Sequence, residues 1–275
     1  MTHPTAISGA SPPSGSALRA GVQAVQQAGS AVALLEASRA LASELAAVAA
    51  TGAPAQTAPA AADAAVAAAA ADADAAGAAA AAAADPGVDA AAVEAAIACL
   101  VEVLGFNNPG AAVAAVEGLI ALGPPAVQPL LERLDPRNYG ARAWAVRALA
   151  GIGDVRGLAL LEEALAQDVG PSVRRAAACG LGQLHLAALS AAARQQTRAR
   201  ALSALLAGCA DGEWVVRYAV AVGLERLVQT MEPSPEQRQQ ALAALSGLSH
   251  PGREETAVVR LRAALAERRL GERQP

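Results

Sequence analysis

The chain has 275 residues, a formal charge of −4, and 54% apolar but only 2% aromatic side chains. Alanine and leucine therefore supply most of the apolar surface, which favours closely stacked helices over a sheet: alanine has the best helix propensity, whereas β-branched and aromatic residues favour strands. Residues 1–105 carry 9 acidic and 2 basic side chains and residues 106–275 carry 16 and 19, so the second part is mildly basic, far short of the strongly basic face that nucleic-acid binding usually needs.

Residues 1–16, rich in Pro, Ser, Gly and Thr, are expected to be disordered, and Met1 to Ser16 lacks the charged start and apolar run of a secretory leader. Residues 17–49 carry Leu34, Leu35, Leu41 and Leu45 at helical spacing and read as one amphipathic helix or a short helix pair. Residues 50–88 are of low complexity. Alanine runs broken by Asp63, Asp72, Asp74, Asp85 and Pro86-Gly87 offer no side chains large enough for a core stripe, so a linker or insertion is expected. It does not read as a membrane span, because Asp72 and Asp74 would each cost about 2.5 to 3.5 kcal/mol at a bilayer centre.

A repeat domain is expected over 89–270, followed by a tail at 271–275. Superposing Ala114 to Gly123, Trp144 to Gly153, Ala176 to His185 and Ala219 to Val228 puts Leu119, Leu149, Leu181 and Leu224 in one column and Leu122, Ile152, Leu184 and Leu227 in a second, three residues on. Seven residues before the first column stand Ala112, Arg142, Arg174 and Arg217. The last interval is lengthened by an insertion around Leu186 to Arg200. A recurrence near 30 residues, with turn residues between helical patterns, predicts an all-α solenoid of antiparallel helix pairs. Gly123-Pro124-Pro125 and Gly153-Asp154 break within repeats. Asn107 to Gly110, Asp135 to Asn138 and Asp168 to Pro171 supply caps and first-turn prolines between helices.

The blocks VLGFNNPGAAVAAVEGLIALG, NYGARAWAVRALAGIGDVRGL, VGPSVRRAAACGLGQL and EWVVRYAVAVGLERL resemble the repeats of the E/F-type phycobilin lyases over residues 89–230, with weaker similarity over 31–49. NNPG followed by NYGARAW is the specific part and points to the F-type subunit. The resemblance implies a HEAT-like superhelix that works as a heterodimer with an E-type subunit. It also implies attachment of a linear tetrapyrrole, phycocyanobilin or phycoerythrobilin, to a cysteine of a phycobiliprotein alpha or beta subunit. Members that also isomerise the bilin carry an adjacent His-Cys pair. Here His3, His185 and His250 are remote from every cysteine, which implies attachment alone.

Thioether formation adds an acceptor thiol across the exocyclic double bond of the bilin A ring, so a binding protein can act by positioning. Cations for two propionates, a carboxylate near the pyrrole N–H groups and a flat apolar wall are needed. Arg142, Arg174 and Arg217, with Arg147 and Arg175, are candidates for the first, since a guanidinium pairs a carboxylate bidentately; the column arginines could equally bond neighbouring repeats. Phe106, Tyr139, Trp144, Trp214 and Tyr218 are the five aromatics, all in or beside these blocks, and read as recognition residues or as core plugs. Asp154 and Tyr139 are the catalytic candidates, although Asp154 could instead cap a helix. Asn107, Asn108 and Asn138 are rim contacts or turn residues. Cys99, Cys179 and Cys209 lack C-x-x-C or histidine spacing, so no metal or cofactor is expected and a reducing cytosol suits them. The expected setting is the cytoplasm of a cyanobacterium, in association with phycobilisomes.

Two other functions fit the same face: a scaffold or chaperone for phycobiliproteins, and a factor that detaches bilins or aids phycobilisome breakdown. No G-x-S-x-G, P-loop or H-E-x-x-H motif supports a hydrolase.

Overall fold

Caps decide where the helices begin. Ser30, Asp89, Asn108, Asn138, Ser190 and Ser234 each accept, through a side-chain oxygen, the amide of the third residue on, and Pro109, Pro171 and Pro235 occupy first helical positions where no amide partner is lost. Gly123 and Gly153 close helices with φ of 79° and 71°, which glycine adopts without a Cβ penalty.

The structure is a computed structural model that describes residues 15–51, 89–133 and 137–272. The disorder expected over residues 1–16 and the linker expected over 50–88 lie outside the described residues, as do the last tail residues, except that residues 15–16 and 50–51 are helical. Among the described residues twelve α-helices follow in order: α1 (Gly15–Gln26), α2 (Ala31–Thr51), α3 (Ala90–Val103), α4 (Pro109–Leu122), α5 (Val127–Glu132), α6 (Tyr139–Ile152), α7 (Leu158–Gln167), α8 (Pro171–Leu181), α9 (Ala191–Gly208), α10 (Trp214–Thr230), α11 (Pro235–Ser249) and α12 (Ala257–Gly271).

Consecutive helices pair into hairpins, and the hairpins stack in two rows, with α2, α4, α6, α8, α10 and α12 packed one on the next. The even row is close-packed because its contact positions are small. A Cβ on Gly118 would lie 2.6 Å from that of Ala42, one on Gly180 2.7 Å from that of Ala150, and one on Gly182 2.3 Å from the Gly223 carbonyl oxygen. Odd-row neighbours meet less extensively. A stack tighter along one row bends toward it, so the even helices form the concave side.

Leu119, Leu149, Leu181 and Leu224 are all buried, as one face of a 3.6-residue period requires. Two apolar cores result, and they meet along α6: Ala141, Ala145 and Leu149 belong to the N-terminal one, Val146 and Ala150 to the C-terminal one.

Two sequence expectations change in detail. The N-terminal segment, read as a zone of its own, is the first hairpin of the same stack: α1 packs on α3 and α2 on α4, and Leu18, Leu41 and Leu45 are fully buried in the shared core. A lone helix pair has nowhere else to bury those leucines. The insertion after Leu184 is a buried turn, anchored by Leu186 and Leu189, that leads into the long helix α9.

Candidate functional site

The fourth position of the even helices holds Ala112, Arg142, Arg174, Arg217 and Arg260, and the arginines tie one repeat to another. Arg174 donates from Nε and Nη2 to Asp211 at 2.7 and 3.0 Å, and from Nη1 to the Asp168 and Val169 carbonyls of its own loop. Arg217 repeats the pattern on Glu254, at 2.6 and 2.8 Å, with Nη1 on the Asp211 and Gly212 carbonyls. Arg142 is a looser copy, 3.1 Å from Glu163 and 3.7 Å from Asp168. The bond from Arg217 is the main reason the buried Glu254 carboxyl is held at about 2. Burial raises Asp211, but the Arg174 bond and the Glu213 amide outweigh it and hold that carboxyl below its ordinary value. These three candidate arginines thus spend their forks on protein carboxylates.

The asparagines fasten the N-terminal half in the same places without charge. The Asn108 amide donates to the Ala31 carbonyl at 2.8 Å and that of Asn138 to the Gly105 carbonyl at 3.2 Å. Asn107 is exposed beside a shallow cavity that Phe106, Ser30 and Leu34 also line.

The two catalytic candidates do not meet. Tyr139 starts α6 and donates its hydroxyl to Asp168 at 2.7 Å, a bond that, with some burial, raises the phenol's pKa. Asp154 follows the end of α6, about 20 Å away at 1.5 Å per helical residue. Only 8% exposed, it accepts the Arg156 amide and two of its guanidinium nitrogens at 2.7 to 2.9 Å, while Arg156 also donates to the Pro124 carbonyl. Asp154 therefore caps and braces a turn.

What remains on the concave wall is Trp144, Arg147, Arg175 and Tyr218, at the fifth, sixth and ninth positions of α6, α8 and α10, opposite the buried third and seventh positions. Trp144 and Tyr218 are half-buried, each packed on a core. The Arg147 guanidinium lies over the Trp144 ring at 5.0 Å, and Arg175 is exposed. Cys179 stands half-buried nearby, its pKa raised by burial; Cys99 and Cys209 are pushed up to about 11 for the same reason. A second surface runs along the starts of the even helices, where Phe106, Tyr139 and Trp214 are 44 to 46% exposed, in line with Val32, Val169 and Val258. Among the described residues no group of His, Cys, Asp or Glu is arranged to hold a metal ion, and no helix is long and apolar enough to cross a membrane.

The carboxylates of the ladder were missed in the sequence although a signal exists: Asp168, Asp211 and Glu254 each precede a ladder arginine, Arg174, Arg217 and Arg260, by six residues.

Stacked hairpins fastened in this way define a HEAT-repeat protein, and a family model described as HEAT repeats matches residues 97–182 and 127–225. A phycobilisome maturation protein of Synechococcus elongatus is 50% identical over 185 residues, 66% of this chain and 86% of that protein. The bilin biosynthesis protein RpcF of another Synechococcus is 50% identical over 182 residues, 66% and 84% of the two chains. A chain from the solved complex of CpcE and CpcF of phycocyanin lyase, from a Nostoc species, superposes with a TM-score of 0.58 at 43% identity, covering 63% of this chain and 99% of that one. The chain belongs to the F-type subunits of the E/F phycobilin lyase family.

Proposed function

We propose that this chain is the F-type half of a heterodimeric phycobilin lyase that, with an E-type subunit, attaches phycocyanobilin to a cysteine of a phycobiliprotein subunit in the cyanobacterial cytoplasm. The observation that carries this is the match to 99% of a chain from the CpcE and CpcF complex. On the concave wall, Trp144 and Tyr218 offer flat apolar surface, and Arg147 and Arg175 offer guanidiniums that no carboxylate of the described residues occupies. The bilin is the substrate. A new bond forms between the acceptor sulfur and the bilin carbon, and the thiol proton ends on the neighbouring carbon of the former double bond. This chain's part is to hold the pigment's propionates and present one face of its A ring, which turns a bimolecular encounter into a positioned one. Tyr139, Trp214 and Asn107, on the exposed starts of the even helices, are assigned to protein partners, where aromatic side chains are favoured.

The test is co-expression with an E-type subunit, a bilin source and a phycobiliprotein alpha subunit, with covalent bilin read by zinc-enhanced fluorescence on a denaturing gel. A fluorescent acceptor band that requires both subunits is expected. Binding of the acceptor without any band would make the chain a scaffold, and loss of bilin from a purified adduct would make it a detaching factor.

A further inference from the structure

Arg147 is a held cation without a counter-ion. It lies three residues from Trp144 on one face of α6, its Cζ 5.0 Å from the ring centroid and within cation–π range. The ring is itself fixed by packing on the N-terminal core. Among the described residues no carboxylate pairs with Arg147, whereas Arg142, Arg174 and Arg217 all pair. Glu117, at the same register on α4, is exposed and forms no ion pair with it. A half-buried charge left unpaired costs solvation, and ordering a long side chain costs rotamer entropy. The ring offsets part of both, and it covers only a face of the guanidinium. The N–H donors lie in the plane at its edge, so the bidentate fork stays open.

We propose that Trp144 and Arg147 form a carboxylate subsite, in which Arg147 grips one carboxylate of the bound ligand through its fork and Trp144 is a positioning residue that aims the guanidinium without touching that carboxylate. The identity of the ligand, a tetrapyrrole with two propionates, rests on the bilin reading above.

Absorbance titration of the heterodimer with phycocyanobilin and with its dimethyl ester, which lacks free carboxylates, tests both roles. Arg147→Ala weakens the free acid roughly 10- to 100-fold, as expected for hydrogen bonds to a charged group, and leaves the ester within twofold. Trp144→Leu weakens the free acid severalfold, adds nothing in the Arg147→Ala background, and is rescued by Trp144→Phe, which keeps a ring. Equal loss for acid and ester in Arg147→Ala overturns the carboxylate contact and needs no Trp144 variant to be read. A Trp144→Leu loss that persists without Arg147 overturns the positioning role. If the unsubstituted heterodimer binds neither acid nor ester, the bilin reading falls and this ligand assignment with it. Urea midpoints of every variant separate these effects from unfolding.

Discussion

Replacing Arg217 with alanine cuts one rung of the ladder, and its cost follows from the state of Glu254. That carboxylate is 3% exposed and is held at about 2 against an ordinary 4.5, chiefly by the Arg217 bond, against burial and with help from the Thr256 amide. Each tenfold change in proton affinity is worth about 1.4 kcal/mol, so the depression corresponds to about 3 kcal/mol of stability at neutral pH. Arg217→Ala should remove about 2 to 3 kcal/mol of it, in line with breaking a largely buried pair from one side. Because the folded value is the lowered one, this stability is complete above about pH 4.5 and is lost as pH falls toward 2. Urea unfolding of the parent and the variant should therefore show a gap that is the same at pH 7 and pH 5 and less than half as large at pH 3. A gap that stays constant down to pH 3 would refute the assignment of Glu254 stability to Arg217.

Gly182→Val should lower stability by about 3 kcal/mol or prevent folding, since the added Cβ meets the Gly223 backbone at 2.3 Å with nothing flexible to yield; Gly212→Ala, with no atom within 4 Å, should shift the melting temperature by little. Asp154→Asn should cost about 1 to 2 kcal/mol through its Arg156 contacts, while bilin transfer per folded heterodimer stays unchanged; a collapse of transfer at full folding would return Asp154 to the chemistry. Cys99 and Cys209, raised to about 11 by burial, should react with a thiol reagent at pH 8 far more slowly in native than in urea-unfolded protein, as read by absorbance.

The helical columns were legible because Leu119, Leu149, Leu181 and Leu224 obey a period that only a helix face imposes, and turn chemistry at Asn108, Asn138 and Pro171 marked the starts. The ladder was half legible. Its arginines stood in register, but each carboxylate partner lies in the following repeat, 37 residues away for both Arg174 and Arg217, and pairing across that distance depends on how far one helix is displaced along another. The aromatics illustrate the same limit. Trp144 and Trp214 have similar neighbours in sequence, yet one is half-buried beside a core and the other exposed at a helix start, because they occupy the sixth and the first positions of their helices. The insertion after Leu184 hid its buried character behind two isolated leucines, too few to show a period.

The arginine ladder of this stack runs through loop carbonyls, cap amides and edge carboxylates, and leaves Trp144, Arg147, Arg175 and Tyr218 outside it. The fourth residue of α6, α8 and α10 makes the joint, whereas these four side chains stand at the fifth, sixth and ninth positions of the same helices. The ladder and the proposed ligand face are thus written on separate letters of the same helix. An engineer could retune that face toward a different pigment by exchanging Arg175, which is exposed and outside the ladder, and expect the scaffold to keep its register.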